Sequence, residues 1–417
     1  MRISFLCTFE PHTAGGILTL GRARGAAANG HDVHVVFQPF KADRYVKRRS
    51  RPSGSHGKPV AGTVKITMAY SRFFSGGLLN RFFSLPKFIL FDFPRVYRVL
   101  SGAEFAVIHK PLPLSFFYMV CLKLLGYRGA VCCVHSDWEG IGGYADLTAP
   151  EKVMRKLLVT FCEEMTPYVA DVVWCASRTL YDRFGLAERL RPKRIYLSCG
   201  GEPFDTAPKV FDGGPRKAIY SGTYKSRPVI DFLVGTATSA LRQSDRLRFV
   251  FLGTGPFLGE LQERVARERG REYIECPGHV THKRVLEYLD TAHYALLYLN
   301  GEYPETYTET SRSSTKLFEY LCAGTVIVAS AIGEARELLA GREAAFLEEN
   351  DPERFAARLA WLNRQPAGAL ADISLRASEL FGKAFSHEVQ MRTLVEFMKQ
   401  RTERPGTEGT GLHSDTT

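Results

Sequence analysis

The chain has 417 residues, 45% of them hydrophobic and 24% charged. At roughly 100–200 residues per domain that length asks for two domains or three. The apolar fraction excludes a disordered, collagen-like or disulfide-scaffold chain. The net charge of +11 is concentrated in residues 1–210, which carry 29 Lys and Arg against 16 Asp and Glu. Such a half asks for an anionic neighbour: phosphates, nucleic acid or a membrane face.

Nine cysteines, an odd number without a paired CxxC pattern, read as reduced buried side chains. No run approaches the ~20 apolar residues that cross a bilayer. The longest, Leu112 to Leu125, is broken by Pro113 and Lys123. The opening Met1–Cys7 is too short a run, and Glu10 and Pro11 follow too soon, for a signal peptide. A cytoplasmic protein is expected.

Strand-like runs in the first half are Ile3–Phe9, Val33–Gln38, Val64–Ala69, Phe105–His109, Ala130–His135, Val172–Ala176 and Ile195–Ser198. They are continuous and β-branched rather than alternating, as in parallel strands buried on both faces. The segment between Gln38 and Thr63 is a basic loop, with Arg44, Lys47, Arg48, Arg49 and Arg51. An aromatic and basic stretch follows, including Phe73, Phe82, Lys87, Phe91 and Arg95. It reads as a packed helix pair or, if exposed, as a segment for a headgroup layer. Deleting Arg44–Arg51 is then expected to weaken binding to anionic liposomes.

The pattern restarts with Ala218–Ser221, Arg248–Gly253, Tyr273–Cys276, Tyr294–Leu299 and Thr325–Ser330, with helices between them such as Pro256–Arg269 and Lys283–Thr291. Two successive doubly wound α/β units follow. The Gly- and Pro-rich segment Gly200–Arg216 reads as their linker, and the polar tail after Arg401 as disordered.

Two segments carry chemistry. Gly15-Gly16 after the first strand either lets backbone N–H groups approach a phosphate or makes a plain turn. It is not GxGxxG, and the second strand ends without the acidic residue of a dinucleotide site. Ser313-Ser314-Thr315-Lys316-Leu317-Phe318-Glu319 opens a helix that Gly324 closes. Its N-terminus, with Lys316, suits a diphosphate, and Glu319 one turn on suits a ribose diol. The alternative is an ordinary capped helix with a Lys–Glu pair.

Gly15-Gly16 followed by Asn29-Gly30-His31-Asp32-Val33, together with Lys316–Gly324, resembles the retaining glycosyltransferase family 4. The resemblance is nearly continuous from Ile219 to Leu339 and patchy before it. It implies a GT-B fold, two doubly wound Rossmann-like domains facing across a cleft. The domains expected are 1–205 on the acceptor side and 206–382 for the nucleotide sugar. A C-terminal helix, 383–401, crosses back to the first domain, and 402–417 form the tail. Gly253-Thr254-Gly255-Pro256 and Gly278-His279-Val280 stand where the family has its strand-end glycine loop and base-contacting loop. By the same resemblance Glu319 is the second glutamate of an E-x7-E motif and holds the ribose. Ser311 stands where the first would be, with Glu305 or Glu309 as stand-ins. After the first strand of the second domain, Thr223 replaces the usual arginine, Arg227 matches the usual lysine, and Lys225 supplies charge. His135-Ser136-Asp137-Trp138-Glu139 resembles the family's segment beneath donor sugar and acceptor.

Taken together, the resemblance implies His135, Lys225, Arg227, Lys316 and Glu319 as catalytic. Gly15, Gly16, Thr223, Gly253, Val280, Ser314 and Thr315 are donor-binding, and Asp137 and Glu139 lie on the acceptor side. No metal and no cofactor are implied beyond the nucleotide-sugar substrate. The expected reaction is glycosyl transfer to a saccharide or lipid-linked acceptor of envelope polysaccharide or glycoconjugate synthesis, peripheral to the inner face of the cell membrane. A nucleotide-sugar 2-epimerase and a non-catalytic sugar-nucleotide binding protein remain as alternatives. Nucleic acid is not an expected partner, because the basic residues are dispersed and no binding motif is present.

Overall fold

A computed structural model describes residues 1–39, 64–69, 88–137, 150–184, 190, 193–244, 246–299 and 313–403. The basic segment Arg44–Arg51, Phe73 to Lys87, Glu139, Glu305, Glu309 and Ser311 lie outside them. The chain forms two compact units, Met1–Glu202 with His387–Thr417, and Pro203–Ser386.

In the first unit β1 (Arg2–Cys7) leads through α1 (Ala14–Ala28) to β2 (Asp32–Phe37) and β3 (Val64–Met68). A π-helical turn, Phe88–Asp92, runs into α2 (Phe93–Ser101). Then come β4 (Phe105–His109), α3 (Pro113–Leu124), β5 (Ala130–His135), α4 (Pro150–Val169), β6 (Val172–Cys175), α5 (Arg178–Arg183) and β7 (Arg194–Tyr196). The seven strands form one sheet in the order β3-β2-β1-β4-β5-β6-β7, and every pair is parallel. Alternate residues of each strand feed two cores. Phe5, Cys7, Val107 and Cys132 pack with α1, whereas Leu6, Ala106, Ile108 and Cys133 pack with α2 and α3. Both faces being covered, the strands read as unbroken apolar runs.

Helix α1 starts at Thr13, whose Oγ1 accepts from the Gly16 N–H at 3.3 Å. Its small residues make room for α13 (His387–Glu403), the last helix of this unit. A Cβ on Gly21 would come within 2.5 Å of the His387 ring, and one on Gly25 within 2.5 Å of the His387 backbone. The Asn29 side-chain amide donates to the Glu388 carbonyl at 2.8 Å, fixing the register of the two helices.

The second unit runs β8 (Arg216–Thr223), α6 (Arg227–Gln243), β9 (Leu247–Thr254), α7 (Leu258–Arg267), β10 (Ile274–Gly278), α8 (His282–Thr291) and β11 (Tyr294–Leu297). It continues with α9 (Thr315–Cys322), β12 (Val326–Ser330), α10 (Gly333–Leu339), β13 (Ala345–Glu348), α11 (Pro352–Asn363) and α12 (Ala367–Leu380). Its six parallel strands are ordered β10-β9-β8-β11-β12-β13. Phe232 of α6 holds the core, stacked on Tyr298 at 4.0 Å and edge-on to Phe355 of α11 at 4.7 Å. The edge strand β13 was not expected from the sequence, because it is short and only half-buried.

In both sheets the strand order reverses beside the first strand of the unit, between β1 and β4 and between β8 and β11. Loops leaving the strands at such a switch point diverge and leave a crevice, the usual ligand site of a doubly wound sheet. All nine cysteines are free thiols, seven of them buried. Among the described residues, no helix is long and apolar enough to cross a membrane.

Candidate active site

The second unit's switch point is built around α9. Leu317, Phe318, Tyr320 and Leu321 bury its inner face, and Gly324 at φ 63° lets the chain turn into β12. The Tyr320 hydroxyl accepts the Ser221 N–H at 2.9 Å, so the helix is tied to the C-terminal end of β8. Burial pushes the Tyr320 phenol up to about 12, which keeps it a neutral partner. Ser314 at the N-cap makes no side-chain cap bond. Thr315 follows as the first helical residue, at the positive end of the helix.

Lys316 reaches back over β8. Its Nζ lies 4.9 Å from the centroid of the Tyr220 ring, and a Cβ on Gly222 would stand 2.7 Å from that nitrogen. Gly222 therefore opens the slot that the ammonium occupies. Gly253 closes in from β9 with φ 150°, and a Cβ there would fall 1.8 Å from the Gly222 carbonyl oxygen. Only glycine permits that approach of the two strand ends.

One turn on, Glu319 Oε1 meets His282 Nε2 at 2.9 Å. His282 opens α8 directly after Gly278-His279-Val280-Thr281, so this contact brings the loop bearing Val280 alongside α9. A carboxylate has about four acceptor positions, so one histidine leaves capacity for a diol. Behind the helix start lies Glu334, buried to 2% exposure in the first turn of α10. Its oxygens accept from Ser313 Oγ at 2.7 Å and from the Ser314 N–H at 3.1 Å. Burial pushes this carboxyl well above the usual carboxylate range. It shapes the loop entering α9.

The remaining second-unit residues are more dispersed. Thr223 and Lys225 are exposed at the end of β8 and just beyond it. Arg227 opens α6 and pairs its Nε with Glu260 of α7 at 3.4 Å, its side chain 73% exposed. The structure brings Lys316, Gly222 and Gly253 to one place, with Glu319 one turn on and bonded to His282, while Arg227 is engaged by its neighbouring helix.

In the first unit the switch point joins the β1–α1 loop to the end of β4. A Cβ on Gly15 would sit 3.2 Å from His109 Nε2, so this glycine makes room for the imidazole, which is buried to 2% exposure. Gly16 is needed for the turn itself, since a Cβ there would lie 2.1 Å from the Glu10 carbonyl. His109 Nδ1 is 3.4 Å from an Arg22 guanidinium nitrogen. Arginine only donates, so Nδ1 accepts and the ring proton is on Nε2. Burial, then the charges of Arg22 and Lys110, hold the His109 pKa well below its ordinary value. This is a neutral imidazole whose Nε2–H makes no hydrogen bond among the described residues. Arg22 itself is fully buried, 4.2 Å above the Trp174 ring.

Lys110, at a left-handed φ of 65°, sends its Nζ to Asp137 Oδ2 at 2.6 Å and joins the ends of β4 and β5. Asp137 thus sits just beyond the end of β5. His135 lies deeper than the sequence reading places it. It ends β5, one strand away from the switch point, with its side chain 0% exposed. Its Nδ1 lies 4.0 Å from the buried Glu163, and its ring stands edge-on to Phe184 at 4.7 Å. Burial first, and Arg183 second, lower its pKa to about 3. The ring packs against α4 and against Phe184 just after α5.

His109 was missed because Phe105–His109 and Ala130–His135 look alike, each an apolar strand ending in histidine. His282 was missed because it reads as the ordinary first residue of a helix, and Glu334 because it lies in a separate element. No group of three or more His, Cys, Asp or Glu side chains among the described residues is arranged to hold a metal ion.

Residues 215–365 match the family model described as "Glycosyl transferases group 1". The chain is similar to the phosphatidylinositol N-acetylglucosaminyltransferase gpi3 subunit of Schizosaccharomyces pombe. It is 24% identical over 278 residues, which cover 64% of this chain and 56% of that protein. It is also similar to a phosphatidylinositol N-acetylglucosaminyltransferase subunit of Arabidopsis thaliana. There it is 25% identical over 311 residues, or 70% of this chain and 64% of that protein. The chain thus spans less than two thirds of either relative's length. Sucrose-phosphate synthase from Thermosynechococcus elongatus superposes with a TM-score of 0.64 at 16% identity, covering 96% of this chain and 98% of that one. Anabaena HepE, solved in complex with UDP and glucose, superposes with 0.60 at 12% identity, covering 96% and 99%. The architecture is that of the GT-B fold, and the second unit carries a group 1 glycosyltransferase domain.

Proposed function

With a group 1 glycosyltransferase domain over residues 215–365 of a GT-B chain, we propose that the protein is a retaining glycosyltransferase of family 4. It transfers a sugar from a nucleotide-diphosphate donor to a saccharide or lipid-linked acceptor in envelope polysaccharide or glycoconjugate synthesis. The observation that carries the reading is the pairing, at the β8/β11 switch point, of a cation on a helix start with a carboxylate one turn on, Lys316 and Glu319. A diphosphate takes the first and a ribose diol the second. UDP is the nucleotide of choice, since HepE is described with UDP and glucose. UDP-N-acetylglucosamine is the first donor to try, from the names of the relatives.

As the bond from the anomeric carbon to the diphosphate oxygen breaks, that oxygen gains negative charge. Lys316 and the N–H groups at the start of α9 stabilise it more in the transition state than in the ground state, which is what raises the rate. Lys225 and Arg227 add longer-range positive potential. The acceptor hydroxyl attacks from the face the leaving group vacates. Its proton passes to the departing phosphate oxygen, so the configuration is retained without a separate base. His109, buried against Gly15, keeps a neutral ring whose tautomer Arg22 fixes. Asp137, held by Lys110, orients the acceptor. The scheme calls for no resident cofactor. We place the protein in the cytoplasm, peripheral on an anionic membrane surface that presents the acceptor.

A thermal-shift panel of UDP-, GDP- and ADP-sugars tests the reading. A ligand at 100 times its dissociation constant stabilises by about 2.7 kcal/mol. For a unit of this size that is a rise in Tm of about 5–10 °C. The rise is expected for one base and roughly halved in Lys316→Met. No rise with any nucleotide sugar refutes the proposal.

A further inference from the structure

The first unit has an uncovered apolar belt that none of the chemistry above uses. On α4 the side chains of Met154, Leu157, Leu158 and Phe161 recur every three or four residues along the face opposite the core, and each is more than half exposed. Helix α3 adds Phe117 and, at its end, Leu124, which is 80% exposed. The π-helical turn adds Leu90 and Phe91, about two thirds exposed. Ring contacts join the three elements into one surface. Phe116 of α3 meets Phe161 of α4 at 6.1 Å, and Phe117 meets Phe88 of the turn at 6.2 Å. Soluble proteins rarely expose so continuous an apolar area unless it meets a partner.

We infer that this belt is the surface by which the protein lies on an anionic lipid bilayer, with α4 and α3 seated in the headgroup layer. Two features select lipid over protein. The belt is built from aliphatic and aromatic side chains, whereas a protein interface carries about one hydrogen bond per 100–200 Å². Its surroundings are basic: Arg95 and Arg98 of α2 and Arg128 after α3 are exposed. Two acids of α4 are turned inward or paired, Glu163 being fully buried and Glu164 bonded to Arg183. Residues 1–210 together hold 29 basic against 16 acidic side chains. An apolar face with a basic rim fits a layer of anionic headgroups, each nearby cation adding about 1 kcal/mol. The same rim opposes a second copy of this chain, since a two-fold contact would set like charges against each other.

The inference deepens the membrane part of the proposed function and rests on it, but it is independent of the donor site. Flotation with vesicles of phosphatidylcholine alone and with 30% phosphatidylserine tests it. Full-length protein is expected to float with the anionic vesicles. Leu157→Asp/Phe161→Asp is expected to lower the partition coefficient on the order of tenfold for each side chain replaced. Leu90→Asp/Phe91→Asp provides a second, separate perturbation should the first fail to fold. Stabilisation by the nucleotide sugar is expected to persist in both variants, since it reads the other unit. Flotation of both variants at the level of the unsubstituted protein overturns the inference and leaves the membrane reading standing. Failure of the unsubstituted protein to float overturns both, without touching the donor site. A fall in solution molar mass in the variants, with flotation unchanged, assigns the belt to a second copy and likewise overturns it.

Discussion

Replacing Lys316 by methionine keeps the length of the side chain and removes one charge. In the free protein the ammonium lies 4.9 Å from the Tyr220 ring centroid. A cation–π contact of that kind at a partly exposed site contributes about 0.5–1 kcal/mol, so the melting temperature without ligand falls by only about 1–4 °C. With a diphosphate bound the balance changes. Two unit charges about 4 Å apart interact by ~4 kcal/mol at an effective dielectric of about 20. Only the part that grows as the leaving group gains charge accelerates the reaction. Taking half to all of that figure gives about 2–4 kcal/mol, or roughly 30- to 1,000-fold in kcat/KM. Release of nucleoside diphosphate from the donor identified by thermal shift measures turnover, and calorimetric titration with UDP measures ground-state binding. The expected result is a large loss in kcat with a smaller one, about tenfold, in UDP affinity. Gly222→Ala gives an internal comparison. Its Cβ would lie 2.7 Å from both Lys316 Nζ and the Tyr220 hydroxyl, so it displaces the ammonium without deleting it. An intermediate loss is expected. Turnover within threefold of the unsubstituted enzyme in Lys316→Met, or a loss confined to UDP affinity, refutes the role assigned to this lysine.

Glu334→Ala strips the acceptors from Ser313 Oγ and the Ser314 N–H, and is expected to cost about 1–3 kcal/mol in urea unfolding. Glu334→Gln, which keeps an acceptor oxygen in place, loses less, and equal losses in the two would show that the bonds contribute nothing. His135 and His387 are fully buried with pKa values lowered to about 3, against an ordinary 6.5. Between those values the unfolded chain binds more protons than the folded one. The stabilisation is therefore complete above pH 6.5 and drains as pH falls toward 3, by up to about 1.4 kcal/mol per pH unit for each histidine. Melting temperatures between pH 4.5 and 7.5 should show that slope, and His135→Asn should flatten it.

The unbroken apolar strands of the sequence and the helical stretches between them announce two doubly wound units, because a parallel sheet covered on both faces leaves no polar alternation. Ser313-Ser314-Thr315 followed by Lys316 and Glu319 is legible for a similar reason. Helix capping and the spacing of residues on one helix face are local properties, set within a single turn. Those features carried the donor site, together with the glycines at 15, 16 and 253, whose need shows in the backbone they permit.

What the linear chain does not contain is strand order. His109 and His135 close similar apolar strands, and nothing in either segment says which strand lies beside β1. The sheet decides it, placing His109 beside the β1–α1 loop and His135 one strand further along, next to Glu163 and Phe184. Arg22, which sets the His109 tautomer, is 87 residues away in the chain, and Glu334 is 20 residues beyond the serine N–H that it caps. Depth of burial is likewise a tertiary quantity. Period and propensity reveal that α4 has apolar residues on more than one face, but only packing shows which face remains uncovered. Local energetics thus determined the elements and the helix-borne half of the site. The order of strands in the sheet and the exclusion of water, which act between residues far apart in sequence, decided which histidine lies beside the strand switch, which carboxylate caps the start of α9 and which surface stays uncovered.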